Sequence, residues 1–454
     1  MARTTRRTAL KAGAAAAAAL MGLTACSPGS DSDSGTTLKV AYQKTDSFTA
    51  LDTMFQSAKS DFEAAHPGVT VDLQPIQGND EDYGTKLALA LRSPATAPDV
   101  FYEDTFKVRS DVDAGYLLKL DSHLDQWEGW DAFEDAAKAA GKADDGGTYA
   151  VPLGTDTRVI WYNKKVFAAA GISVPWQPKS WEDILTAART IKAQGPDIIP
   201  FNMYAGKGTG EGTVMQGFYE LLYGTGTGLY DDDTGKWVVG SAGFQDSLAF
   251  LKTLYDEDLA VSPAEALDGN VWKKVFGEWF PKGRLGGTVE GSYAPSFWQE
   301  GGSYEWPGYA QDMGVAPFPT RDGAAPGAVS MSGGWTLAVG AGTKDPDLAF
   351  EFLATALNME NSLAFTLASS QIAVRKDVAA HPDYQAANPF VGDVSAVVPV
   401  TRYRPATSDY PRISAAVQEA TEAVITGART PAEAAAGYDA AVEQIVGVEN
   451  IVRK

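Results

Sequence analysis

The 454-residue sequence has one cysteine, Cys26, and three histidines, His66, His123 and His381. Without a second cysteine no internal disulfide can form, so stability must come from a large buried core. The histidines lie far apart, two of them directly before proline, and no His-x-x-x-His pair occurs, which leaves few ligands for a transition metal. Neither a phosphate-binding Gly-Lys-Ser/Thr loop nor a Gly-x-Ser-x-Gly elbow is present. The run Gly224-Thr225-Gly226-Thr227-Gly228 lacks the lysine and reads as a loop. No cofactor is expected. Basic residues are also scarce, 37 against 58 acidic ones. That balance argues against nucleic acid or an anionic membrane face as a partner.

The start of the chain reads as an address. Arg3, Arg6, Arg7 and Lys11 precede an apolar run from Ala12 to Leu23, and no acid appears before Asp31. The run is shorter than the ~20 residues that span a bilayer and has the layout of a secretory signal. The paired arginines are also compatible with twin-arginine export. Leu23-Thr24-Ala25-Cys26 resembles a bacterial lipobox, which makes Cys26 the expected lipidated N-terminus after cleavage of residues 1–25. Removing the four basic signal residues leaves 33 basic against 58 acidic residues, a net charge of −25. Residues 26–36 hold nothing apolar to bury and read as a flexible tether. Anchor, tether and globular body describe a protein held at the outer face of a cell membrane.

The body begins as alternating strands and helices. Leu38–Tyr42 reads as a buried strand, and Leu51, Met54, Phe55, Ala58, Phe62 and Ala65 form one helical face. His66-Pro67-Gly68 stops that helix. Val69, Val71 and Leu73 alternate as in a strand, a helix fits Tyr83–Leu91, and Asp99–Tyr102 reads as a third strand. This βαβαβ order implies an α/β fold with a parallel sheet covered by helices, and places ligands past the C-terminal strand ends. Further on, Ser180-Trp181-Glu182-Asp183 caps a helix, and Ile413–Ile445 is helical with breaks at Gly427 and Pro431.

The order of several segments carries a resemblance. They are Phe62–Val71, Ala97–Val100, Tyr149–Pro152 running on to Trp161–Lys164, Ser180–Asp183, Gly286–Gly291, Gly333-Gly334-Trp335 and Phe350–Leu353. In that order they resemble the family-1 extracellular solute-binding proteins, relatives of maltose-binding protein that serve carbohydrate ABC importers. The resemblance implies a two-lobed periplasmic-binding-protein-like fold with three crossings between lobes, expected near Pro152, Gly287 and Ser332. Lobe one would be 37–152 plus 288–332, and lobe two 153–287 plus 333–454. It also implies a monomer without enzymatic activity that captures a sugar or oligosaccharide in the interlobe cleft and delivers it to an ABC permease.

A neutral sugar is held by flat aromatics against its apolar faces and by planar polar groups on its hydroxyls. Trp335 follows a glycine pair at an expected crossing and is the first stacking candidate. Tyr293 and Glu290 belong to a turn that the resemblance directs into the cleft. Glu103 and Asp104 follow the third strand, and Gln43 and Lys44 follow the first. Asp156 and Arg158 lie beside the first expected crossing, where a hinge-stabilising ion pair is an equally good account. Tyr410 precedes the last long helical stretch and is a further stacking candidate. Two other readings stay open: a binding protein for glycerol phosphate, a peptide or a polyamine, and a secreted glycosidase built on two carboxylates.

Overall fold

The computed structural model describes residues 36–454. The export signal, Cys26 and the tether before Thr36 lie outside the described residues. Strand β1 (Thr36–Lys44) leads into helix Ala50–Ala65, which buries Leu51, Met54, Phe55, Ala58 and Phe62 on one face. The helix ends at His66, whose N–H bonds the Phe62 carbonyl, and Gly68 at φ +92° turns the chain into β2 (Val69–Gln77). Helix Asp80–Leu91, capped by the Asn79 side chain, then precedes β3 (Val100–Asp104). Strand β1 pairs in parallel with both β2 and β3. The five-stranded sheet is completed by strand Gly334–Val339, antiparallel between β3 and β4 (Ala150–Thr155).

A second sheet holds, in order, Met313–Ala316, β5 (Arg158–Asn163), Leu285–Gly291 and β6 (Ile199–Asn202). Every residue of β5 and of Leu285–Gly291 is buried, as central strands covered on both faces must be. The two sheets organise two hydrophobic cores. One gathers Phe55, Phe101, Leu120 and Phe352; the other gathers Trp161, Phe218, Leu251 and Trp298. The molecule therefore has the expected two α/β lobes. Helix Trp181–Lys192 starts on the expected capping box, with Ser180 and Asp183 exchanging side-chain and backbone bonds. Among the described residues no helix is long and apolar enough to cross a membrane.

The crossings correct the expected boundaries. β4 ends at Thr155 and β5 begins at Arg158, so the first crossing is Asp156-Thr157, a few residues beyond Pro152. No crossing occurs at Gly287, which pairs with Tyr162 on one side and Phe201 on the other in the middle of the second sheet. Residues 288–332 consequently stay in lobe two. The crossing at Ser332 exists but runs the other way, because Gly334–Val339 enters the first sheet and helix Pro346–Ala356 packs its Phe352 on Phe55 and Phe62. The chain returns to lobe two between Arg375, bridged to Phe133, and Phe390, packed on Trp161.

Candidate functional site

The residues nearest the crossings meet between the lobes. Asp104 ends β3 in lobe one, and its Oδ1 accepts from Arg404 Nη2 of lobe two at 2.6 Å. The same guanidinium lies 4.3 Å from the Phe106 ring centroid and 3.5 Å from Glu211 Oε1. Tyr410 packs edge-on against Phe106 at 5.4 Å and donates its hydroxyl to Glu211 at 2.5 Å. Burial pushes the Asp104 carboxyl up to about 6 although Arg404 pulls it down. Burial also works against the charge of Arg404, but Asp104 and Glu211 hold that group above its ordinary value.

Trp335 stands opposite Asp104 in the sheet register, beside a bulge in its pairing with β4. Its half-buried ring lies on Tyr102, with centroids 4.1 Å apart and planes 6° from parallel. Tyr83 approaches the same ring at 6.1 Å. This stack gives lobe one a flat aromatic surface beside a carboxylate.

Lobe two supplies the facing wall. Glu290 Oε1 accepts from Tyr204 at 2.5 Å, and Oε2 accepts from the Gly291 N–H and the Tyr293 hydroxyl at 3.3 Å each. Gly291 is required here, since a Cβ would fall 2.0 Å from the Tyr293 ring. Burial pushes Glu290 up to about 7, with the Tyr204 hydrogen bond opposing it. Burial and the Glu290 charge both raise the Tyr293 phenol well above its ordinary value. The Arg158 guanidinium sits 5.7 Å from the Tyr293 ring centroid. It pairs in charge with Asp156, which also accepts from the Gly333 N–H at 2.9 Å. The Arg158–Asp156 contact is electrostatic rather than a directed hydrogen bond, because among the described residues neither Nη1 nor Nε of Arg158 has an aligned acceptor. Asp156 thereby ties the first crossing to the second.

Three expected residues do not join this cluster. Glu103 faces the opposite side of β3 from Asp104, as alternation along a strand requires. It is fully buried beside Asp111 and Lys107, with no donor to accept from among the described residues. Burial, then the Asp111 charge, raise its carboxyl well above the usual range. Gln43 is turned to Gly78 and Asp80, at 3.2 and 2.7 Å. Lys44 is held by Asp52 at 2.7 Å. In exchange the structure adds Arg404, Phe106, Glu211, Tyr102, Tyr204 and Gln216. Arg404 had one sequence signal, a basic residue before proline in the segment Arg402-Tyr403-Arg404-Pro405 of an acid-rich chain.

An open cavity of about 300 Å³ lies elsewhere, between helices Tyr410–Ile425 and Pro431–Val446. Alanines in its wall are interleaved with Lys207, Glu419, Glu422, Thr426 and Arg429, and Lys207 is paired with Glu419 at 2.7 Å. It lies within lobe two rather than between the lobes.

Comparison with known proteins agrees with this architecture. Residues 43–362 match the family described as bacterial extracellular solute-binding protein. The diacetylchitobiose-binding protein DasA of Streptomyces coelicolor is 31% identical over 274 residues, 60% of this chain. That match spans 59% of DasA, less than two thirds of its length. The GacH receptor of Streptomyces glaucescens, whose structures include a complex with acarbose, superimposes with a TM-score of 0.75 at 25% identity, covering 91% of this chain and 99% of GacH. Maltose-bound MalE3 of T. maritima superimposes with a TM-score of 0.76 at 20% identity, covering 90% of this chain and all of MalE3.

Proposed function

The chain belongs to the bacterial extracellular solute-binding proteins, and from that premise we propose that it captures a sugar or oligosaccharide between its lobes and delivers it to an ABC importer permease. The observation that carries the sugar reading is the Trp335–Tyr102 stack set beside Asp104 in the interlobe cluster. Stacked aromatics take the apolar face of a sugar ring, and carboxylates, amides and guanidinium groups take its hydroxyls. The charges of that cluster are matched within the protein: Arg404 with Asp104 and Glu211, Arg158 with Asp156. Both guanidinium groups of the cluster are thus already paired, which leaves it no free cation to recognise a phosphate ester, so a neutral ligand fits the site better. The ligands of DasA and GacH, diacetylchitobiose and acarbose, point the same way.

The ligand-binding set we propose is Trp335, Tyr293, Glu290, Asp104 and Tyr410, with Asp156 and Arg158 at the hinge. The protein binds as a monomer, leaves its ligand chemically unchanged, and is held outside the cell membrane by lipid on Cys26. The test is a thermal-shift screen of residues 36–454 against mono- and oligosaccharides, peptides, polyamines and glycerol phosphates. Selective binding to the folded state raises the melting temperature by mass action. A rise with one sugar series and no product formed is the expected result. A rise with only a peptide, a polyamine or a phosphate ester would overturn the sugar assignment.

A further inference from the structure

Gln216 sits where a helix of lobe two widens. Residues Val214–Phe218 form a π-helical turn ahead of helix Tyr219–Gly224. Such turns are rare and recur at functional sites, because the wider ring moves side chains out of α-helical register. Gly217 lets the turn lie close to the chain beyond β6, where a Cβ would stand 2.6 Å from the Tyr204 carbonyl oxygen. The turn brings the Gln216 amide to the cleft wall, and Nε2 donates to the Tyr293 hydroxyl at 2.8 Å.

The other end of that amide is unused. Gln216 Oε1 is shut off from solvent, and among the described residues no group donates to it and none accepts from Arg158 Nε. Both side chains border Tyr293, one bonded to its hydroxyl and the other against its ring. A buried acceptor and a buried donor left unmade are both costly, and native proteins rarely keep them without a reason. One free acceptor and one free donor beside one phenol are complementary to neighbouring hydroxyls, each of which can both give and take a hydrogen bond.

We propose that Gln216 is a specificity-determining residue of the cleft, its Oε1 accepting from one ligand hydroxyl while Arg158 donates to the oxygen next to it. The inference rests on the sugar reading and narrows it: the protein selects sugars that carry a hydroxyl at one ring position in one configuration. A site built to pair with a hydroxyl discriminates strongly against an analogue lacking it, since the buried partner is then left unpaired.

The test is titration calorimetry on residues 36–454, using the sugar found by the screen and its single-position deoxy analogues. Wild type is compared with Gln216→Met, which keeps length and removes the acceptor, and with Trp335→Ala. In wild type, one deoxy analogue should bind about ten- to a hundredfold more weakly than its parent. In Gln216→Met that penalty should vanish at this position and persist at the others, whereas Trp335→Ala should weaken parent and analogues by a similar factor. If every deoxy penalty survives in Gln216→Met, the assignment is overturned and the sugar reading stands. Should that variant not fold, Gln216→Asn withdraws the acceptor by one methylene, and unchanged penalties there count equally against the proposal. A wild-type protein that binds no sugar overturns the sugar reading itself, and this inference with it.

Discussion

Asp104 and Arg404 are 300 residues apart in sequence, yet their side chains meet at 2.6 Å across the two lobes. Both are mostly buried, and Arg404 is the cation shared with Glu211. Removing one partner from a buried pair leaves an uncompensated charge, at about 3–5 kcal/mol. Arg404→Ala leaves two carboxyl groups at the lobe interface without their cation, and should bias the free protein toward separated lobes. Small-angle scattering should then give a larger radius of gyration for the variant, and adding Asp104→Asn should recover part of the difference. Identical scattering from wild type and Arg404→Ala would show that the pair does not hold the lobes together.

Truncating Trp335 removes the outer ring of the stack and leaves Tyr102 in place. A lost stacking contact costs about 1–3 kcal/mol. Trp335→Ala should therefore weaken ligand binding about 5- to 150-fold. The variant should still fold but melt at a lower temperature, because the ring also packs on Tyr102 and Tyr83. Unchanged affinity measured by calorimetry would remove Trp335 from the site.

Particular residues show what the sequence could carry. The βαβαβ start of lobe one was legible because Leu51, Met54, Phe55, Ala58 and Phe62 repeat with helical spacing between strands that keep their own pattern. The resemblance placed a crossing at Gly287, but Gly286 and Gly287 lie inside a buried strand. In the structure they serve close packing instead. A Cβ on Gly286 would stand 2.3 Å from the Pro200 carbonyl oxygen, and one on Gly287 would press on the Phe201 ring at 3.2 Å. Glu103 and Asp104 could not both face the cleft, because neighbours on a strand point to opposite faces; the sequence offered two carboxylates and alternation allowed one. Arg404 was missed because it lies in an irregular segment that only tertiary folding brings to β3.

Ser180 tests stability apart from binding. Its hydroxyl accepts from the Asp183 N–H, and the Asp183 carboxylate accepts from the Ser180 N–H. Losing such a cap costs about 0.5–2 kcal/mol. Ser180→Ala should lower the urea midpoint and leave ligand affinity unaltered, since the helix start lies on the surface of lobe two away from the interlobe cluster. A change in affinity larger than twofold would mean that this helix is coupled to the cleft.

Glu290 should give the folded protein a measurable dependence on pH. Its carboxyl is raised from an ordinary 4.5 to about 7 by burial. Between these values the folded state holds a proton that the unfolded state has released. Stability therefore falls as pH rises through the window from about 4.5 to 7, by on the order of 3 kcal/mol at most. Asp104, raised to about 6, acts in the same direction over a lower window. Glu290→Gln removes the first contribution and leaves the second. Urea unfolding of the variant at pH 5 and pH 8 should show a smaller loss of stability on raising the pH than wild type shows. The Gln amide also places a donor where Oε2 accepted from the Gly291 N–H, so an overall drop in stability is expected at both pH values. The difference between the two pH values is the quantity that matters: if it matches wild type, Glu290 titrates as an ordinary carboxylate, and burial behind Tyr204 and Tyr293 does not hold its proton.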